Sequence, residues 1–369
     1  MSGVRNIGHR LYAGEVSFDF VGRRKTWYVV SAIILLVSVG ALVFRGLNLG
    51  IEFRGGADFS MPNATCTVEE ARTTGESATG AQVIVTETAS GTVRVQTEAL
   101  TAAESSVVAG QLAEACGIPK EEVKIQVVGP TWGAEISKKA LQGLVVFLLL
   151  VSLFLSIYFE WRMAVAALVA LAHDLVITIG IYALTGLEVT PATVIGLLTI
   201  LGYSLYDTVV VFDKVKENTR GVTGQSILTY SESANLAVNQ TLVRSINTSI
   251  VALLPVIAII VVGAGFLGAG TLLDLAVALA VGMAAGTYSS IFIATPFLAQ
   301  LKETQPEMKS LAARVNARRK QSRGASADAA PEAVEAAAPA KSAPAASTRV
   351  ESSTRQQPKR KPRAKRGKS

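Results

Sequence analysis

Six stretches of this 369-residue sequence are apolar over roughly twenty residues each, enough at about 1.5 Å per residue to cross a hydrocarbon core about 30 Å thick. They are 26–44, 140–159, 163–184, 191–212, 242–262 and 271–298. A chain that crosses lipid must satisfy its backbone groups internally, so each run is expected to be a helix. The composition agrees: mean hydropathy is +0.40 and only 17% of residues are charged. This predicts an α-helical polytopic membrane protein with six transmembrane helices.

The first run follows Arg23-Arg24-Lys25 and resembles a signal peptide. It is longer than a signal's apolar region, and Arg45 stands where a cleavage site belongs, so it reads as an uncleaved anchor at 26–45. The fifth run is purely apolar only over 250–262, 13 residues or about 20 Å of helix. To span, it must draw in Arg244-Ser245-Ile246-Asn247-Thr248-Ser249, which puts Arg244 within the bundle. The glycine-rich stretch 263–270 is a poor helix former and reads as a tight turn.

Basic residues set the orientation. Arg5, Arg10, Arg23, Arg24 and Lys25 precede the first span, and Lys214, Lys216 and Arg220 follow the fourth. The 185–190 and 263–270 loops hold no Lys or Arg. Both termini, 1–25 included, are expected in the cytoplasm, with 46–137 outside and a cytoplasmic loop near 214–241 inside the helical region 138–300. Lys138-Lys139 departs from the rule beside a long translocated segment.

The segment 46–137 carries 5 basic and 12 acidic residues and reads as a folded domain. A strand at 49–61 precedes a helix at 67–78 opened by the capping box Thr67-x-x-Glu70. Strands 82–87 and 92–97 flank the turn Ala89-Ser90-Gly91; a helix at 101–116 has a Thr101-x-x-Glu104 cap, and a last strand covers 122–128. The order β-α-β-β-α-β predicts an extracytoplasmic ferredoxin-like α+β domain. Cys66 and Cys116 fall in it, either as a disulfide or as two buried thiols. Residues 306–369 hold 16 Lys/Arg against 5 Asp/Glu in low-complexity sequence, so 301–369 is expected to be a basic disordered tail. Such a tail either touches anionic lipid, the ribosome or RNA, or only solubilises; no specific nucleic acid is expected.

Scarcity excludes several chemistries. Two histidines, His9 and His173, and two cysteines cannot build a Cys₄ or Cys₂His₂ zinc site, an HExxH site or an iron–sulfur cluster. No GxSxG elbow is present. Gly367-Lys368-Ser369 mimics the end of a P-loop, but Pro362 occupies the place of its first glycine. No cofactor, metal or enzyme activity is predicted, and any energy comes from elsewhere.

Ionisable residues inside spans are functional candidates by default. Asp174 falls near mid-bilayer on the third helix, with Thr178 at i+4 and His173 turned about 100° away. Asp207 on the fourth helix and Arg244 on the fifth lie at matching depth, which makes them candidates for an ion pair that protonation would break. Tyr203 and Ser204 share a face with Asp207; Gln240, Asn247 and Thr248 share one with Arg244. Asp213 reads as interfacial, and Asp274 complements the N-terminal end of the sixth helix. Asp207, Arg244, Asp174, Asp213 and Asp274 are the candidate proton-relay residues, each with a static structural alternative, and His173 reads as a packing residue. Gly282-x-x-x-Gly286 predicts close helix packing within the chain.

Several of these residues fall in longer motifs. Phe18-Asp19-Phe20-Val21-Gly22-Arg23-Arg24-Lys25 and Gly55-Gly56 bracket the first span. Leu205-Tyr206-Asp207-Thr208-Val209-Val210-Val211-Phe212-Asp213, Asn239-Gln240-Thr241-Leu242, Arg244-Ser245-Ile246-Asn247-Thr248 and Gly286-Thr287-Tyr288-Ser289-Ser290 follow in order. Together they resemble the SecF family of bacterial protein-export membrane proteins, in the resistance-nodulation-division superfamily, over roughly residues 15–300. Glu52 departs from the aspartate expected ahead of the glycine pair. The resemblance implies one half of a SecD–SecF complex in the bacterial cytoplasmic membrane. That complex works with the SecYEG translocon and SecA, and uses the proton-motive force to draw exported polypeptides outward. Asp207 and Arg244 match the family's membrane charges tied to proton passage, with protons the only cofactor. A half of a proton-driven small-molecule efflux transporter and a non-transporting translocon scaffold remain open beside it.

Overall fold

The computed structural model describes residues 10, 16–87, 91–262 and 270–328. The chain divides into two units, Met1–Gln321 and Ser322–Ser369; of the second, only the end of one helix is described. Among the described residues, six helices are long and apolar enough to cross a membrane, which makes this a multi-pass membrane protein.

Helix α1 (Arg24–Arg45) ends at Gly46, whose φ of 72° turns the chain out of the helix. Strand β1 (Asn48–Leu49), the single helical turn α2 (Ile51–Arg54) and β2 (Gly56–Met61) follow. The expected continuous strand over 49–61 is therefore broken. Gly55 and Gly56, at φ of 79° and 149°, reverse the chain where L side chains are strained, and a Cβ on Gly56 would lie 2.5 Å from the Thr97 carbonyl.

Then come α3 (Val68–Thr79), β3 (Ile84–Glu87), β4 (Val93–Thr97), α4 (Ala102–Ala115) and β5 (Lys124–Val128). The sheet order is β3-β4-β2-β5 with every neighbour antiparallel. Alternation puts Ala57, Phe59 and Met61 of β2 and Val93 and Val95 of β4 into a core with Ala71, Val108 and Leu112 from the helices. Both capping boxes form, Thr67 with Glu70 and Thr101 with Glu104. The backbone N–H of each threonine holds its glutamate below the usual carboxylate range. Cys66 and Cys116 are joined in a disulfide, their Cα atoms 4.4 Å apart. Most of the turn 88–91 lies outside the described residues.

The remaining membrane helices are α5 (Pro130–Tyr158), α6 (Trp161–Thr185), α7 (Pro191–Asn218), α8 (Tyr230–Val262) and a last one in three parts. Its parts are α9 (Gly270–Ser289), a π-helical turn (Ser290–Ala294) and α10 (Thr295–Glu303). Pro296 lacks an N–H and cannot donate back into this helix, and the wider π turn absorbs the irregularity. Helix α5 starts ten residues before its apolar run. Gly133 there packs so closely on α2 that a Cβ would lie 2.8 Å from the Phe53 carbonyl oxygen. Strand β6 (Glu188–Val189), between α6 and α7, pairs in parallel with β1, joining the exit of α1 to the α6–α7 loop.

Two further expectations change. Helix α7 runs on to Asn218 and α8 begins at Tyr230, so the loop expected over 214–241 shrinks to 219–229. The basic tail does not begin at residue 301: α10 continues to Glu303 and α11 spans Pro306–Asp328. Met308, Leu311 and Val315, at helical spacing, bury themselves in the same core as Val222 and Tyr230. Arg319 clamps Glu232 with bonds of 2.7 and 2.9 Å, and Arg314 donates to the Thr223 carbonyl at 2.6 Å. Composition over a long window hid this short amphipathic stripe. The expected tail beyond Asp328 and the glycine-rich turn at 263–269 lie outside the described residues.

Candidate functional site

Helices α7 and α9 approach closely enough to bury polar side chains between them. A Cβ on Gly282 would fall 1.8 Å from Ile200, and one on Gly286 would fall 2.7 Å from the Ser204 Cβ. Gly282-x-x-x-Gly286 thus packs within the chain, and the missing side chains bring Ser204 and Ser289 to one carboxylate.

That carboxylate is Asp174 on α6, 1% exposed. Its Oδ2 accepts from Ser204 Oγ at 2.5 Å and Ser289 Oγ at 2.8 Å, and its Oδ1 lies 3.2 Å from His173 Nδ1. The i,i+1 neighbour expected to turn away is bonded to it. Thr178 bonds the Asp174 backbone carbonyl instead, at 2.8 Å. Asp207 on α7, 6% exposed, is held in the same way. Ser245 Oγ donates to Oδ1 at 2.7 Å, and Ser290 Oγ donates to Oδ2. Ser249 bonds the Ser245 carbonyl at 2.9 Å and Thr287 at 2.6 Å, and receives the Tyr203 hydroxyl at 3.3 Å. Two buried carboxylates are therefore solvated by hydroxyls from α7, α8 and the last helix.

Arg244 does not pair with Asp207: no ion pair within 4.0 Å joins them. The two helices cross-match one residue out of step. Arg244 bonds the Tyr206 hydroxyl at 3.3 Å on the exposed side, while Ser245 takes the buried position against Asp207. One residue is 100° of helix, so equal depth did not mean a shared face. Of the polar residues expected around the pair, Ser204 goes to Asp174 and Gln240 accepts from Asn218 at 2.9 Å. Asn247 lies exposed and Thr248 half-buried, and the hydroxyls on the two carboxylates come from other residues. Asp213 is exposed near the end of α7. Asp274 sits in the first turns of α9, where Tyr182 bonds its backbone carbonyl at 2.8 Å.

Sequence reasoning missed Ser245, Ser289 and Ser290 as ligands of the carboxylates. Their signal was the recurrence of small hydroxyl residues at Ser245 and Ser249, and at Thr287 and Ser290, one turn apart on otherwise apolar helices.

A second polar cluster ties these helices to the α/β domain. Arg94 on β4 bonds Asp58 at 2.5 Å and Glu188 of β6 at 3.1 Å. Gln96 donates to the same two carboxylates at 3.0 and 2.8 Å. Burial works against the Arg94 charge, but Asp58 and Glu188 more than offset it and raise its pKa. Glu188 lies in the short connection between the helices that carry Asp174 and Asp207. At the opposite end, Asn239 accepts from the Phe18 N–H at 2.8 Å and donates to its carbonyl at 2.9 Å. Asn235 accepts from Phe20 and Val21, which docks the segment before α1 onto α8. Among the described residues, no group of three His, Cys, Asp or Glu side chains is arranged to hold a metal ion.

Polar side chains buried between glycine-packed helices, with an α/β domain inserted after the first span, define a polytopic membrane protein with a polar centre inside its helical bundle. Residues 108–304 match the family model for the C-terminal part of the protein export membrane proteins SecD/SecF, and residues 40–57 match the SecD/SecF GG motif. The protein translocase subunit SecF of Streptomyces coelicolor is 52% identical over 322 residues, covering 87% of this chain and 86% of that one. SecF of Mycobacterium tuberculosis (strain H37Rv) is 45% identical over 85% and 74% of the two chains. The crystal structure of SecDF from Thermus thermophilus, a translocon-associated membrane protein, superposes with a TM-score of 0.69 at 30% identity. That match covers 78% of this chain and 39% of SecDF, so the chain spans about two fifths of the solved relative. The chain belongs to the SecF family of protein translocase subunits.

Proposed function

We propose that this chain couples the proton-motive force to the late stages of protein export and release, in partnership with SecD, at a Sec translocon of SecYEG and SecA. The observation that carries the reading is the hydroxyl solvation of Asp207. A lysine or arginine counter-charge would lock the carboxylate in its charged form. A serine hydroxyl donates to a carboxylate and accepts from a carboxylic acid, so the same shell serves both protonation states. Burying an unpaired charge is costly, and taking up a proton removes that cost.

Arg244 supplies the second state. A rotation of α8 by one residue step, about 100°, exchanges Ser245 for Arg244 at Asp207 and turns a hydroxyl-held acid into an ion pair. The present arrangement is the one in which hydroxyls, not Arg244, hold Asp207. The exposed face carrying Tyr206 and Arg244 is where we place the SecD half, a partnership supported by the SecDF relatives that join both in one chain.

The α/β domain reads as ferredoxin-like on its β3-β4-β2-β5 order with helices on one face. We place it outside the bacterial cytoplasmic membrane and both termini in the cytoplasm. The distribution of Lys and Arg supports this, as does a disulfide, which persists in oxidising compartments. The Arg94 cluster would carry motion between the proton site and this domain. Exported polypeptides are its substrates and membrane lipids surround it; no catalytic activity or further cofactor enters.

Pulse-chase export of a secreted protein tests the assignment. Depletion of this chain should slow export and the wild-type chain should restore it. Normal export on depletion, with raised drug susceptibility, would favour an efflux transporter.

A further inference from the structure

His173 and Asp174 are buried titratable groups beside Asp207 that the proposed cycle leaves idle. His173 is 5% exposed, and its Nε2 has no hydrogen-bond partner among the described residues. Its ring stacks on Tyr288 with centroids 6.0 Å apart, and Tyr288 in turn bonds Ser31 of α1 at 3.0 Å. Phe292 in the π turn stacks on Tyr288 at 5.1 Å and packs on Trp27 at 4.4 Å. The imidazole is therefore fixed on one face by a braced tyrosine, with Nδ1 aimed at Asp174.

A packing histidine satisfies its polar atoms or leaves them at the surface; this one keeps Nε2 buried and unbonded. With Asp174 charged, Nδ1 carries the hydrogen that it donates to Oδ1, so Nε2 bears the lone pair. A buried lone pair held beside a carboxylate is the arrangement of a two-ended proton relay.

We propose that His173 loads Asp174: a proton binds at Nε2, and the Nδ1 proton passes to Asp174 Oδ1. The imidazole is left neutral with its hydrogen on Nε2, and the carboxylate becomes an acid. One proton enters and one carboxylate charge is removed. This rests on the proton-coupled reading of the same site and adds a second proton-binding group to it. The consequence reaches Asp207 through chain continuity. Ser289 bonds Asp174, and the next residue, Ser290, bonds Asp207 at the start of the π turn. Neutralising Asp174 weakens the Ser289 bond and frees that turn to change its hold on Asp207.

The groups facing the imidazole are few. Asp174 lies on its own helix, Tyr288 faces it from α9, and α7 brings Ser204 with Asp207 beyond it. Helix α1 brings Ser31, and the buried stretch of α5 holds no charged residue. Lys302 of α10 is occupied with Glu160 at the start of α6.

The sequence holds two histidines, so His9→Gln leaves a protein with His173 alone. In the full-length single-histidine protein in nanodiscs, ¹⁵N-histidine NMR should show His173 with hydrogen on Nδ1 at high pH. A change of protonation should follow between about pH 5 and 8, altered by Asp174→Asn. A ring fixed in one form across that range, or a titration indifferent to Asp174→Asn, overturns the proposal. In depleted cells, His173→Gln and His173→Phe should both lose the component of export that depends on the proton-motive force, at wild-type membrane levels. Retention by the Phe variant, which keeps the stack on Tyr288, would make His173 a packing residue and overturn it. Normal export with Asp207→Asn would instead overturn the proton-coupled reading, whatever His173 does.

Discussion

Ser289 and Ser290 are adjacent in the chain yet donate to different buried carboxylates, Ser289 to Asp174 at 2.8 Å and Ser290 to Asp207. They stand where the last helix changes from α to π, so a change in the turn is felt at both acids. Ser290→Ala removes a donor to a buried carboxylate, a loss of about 1.5–3 kcal/mol for a bond to a charged group. The variant should insert normally and export slowly. Deleting one residue from Ser290–Ala294, which closes the π turn to α geometry, should abolish export while leaving the protein in the membrane. Pulse-chase labelling beside membrane fractionation separates the two readouts.

Arg94 joins the α/β domain to the loop between α6 and α7. Arg94→Ala leaves Asp58 and Glu188 largely buried without a counter-charge. The expected destabilisation is about 3 kcal/mol, the low end for breaking a buried pair because the Arg94 side chain keeps 30% of its exposure. Thermal unfolding of the purified protein should show the loss, and Arg94→Lys should recover only part of it, since a single ammonium cannot fork to two carboxylates.

The disulfide closes a sequence separation of 50 residues, so its loss frees the unfolded domain most. Cys66→Ser with Cys116→Ser should cost about 2–5 kcal/mol. Limited proteolysis of membranes under reducing conditions should cut the wild-type domain as readily as the variant.

The two capping boxes make the same domain sensitive to acid. Glu70 and Glu104 have folded-state pKa values lowered by the Thr67 and Thr101 N–H groups. Their contribution is complete above the ordinary carboxylate pKa of about 4.5 and is lost as pH falls through the lower folded values. Protease resistance should decline on acidification below pH 4.5, and Glu70→Gln with Glu104→Gln should flatten that part of the curve.

The six spans were legible because twenty apolar residues in a row have few other destinations. Both capping boxes were legible because their hydrogen bonds are local, and Asp174 and Asp207 because a carboxylate on an apolar helix stands out. The partners of those carboxylates were not. Which residue of α8 meets Asp207 depends on the rotation of one helix against another. Gly282 and Gly286 set that for the last helix through an approach so close that an added Cβ would lie under 3 Å from α7, which sequence spacing does not show. Arg244 was the more conspicuous residue and Ser245 the one in place. Helix α11 escaped notice because Met308, Leu311 and Val315 are diluted in a segment of net charge +11.

The central claim is that Asp207 exchanges a proton during export. Pulse-chase export in cells depleted of this chain, rescued with wild type or Asp207→Asn, tests it directly when run with and without an uncoupler. Asp207→Asn should accumulate in the membrane, export at the rate of the depleted cells, and be indifferent to the uncoupler. Export by Asp207→Asn at the wild-type rate, still slowed by the uncoupler, would contradict the account and place the proton path elsewhere.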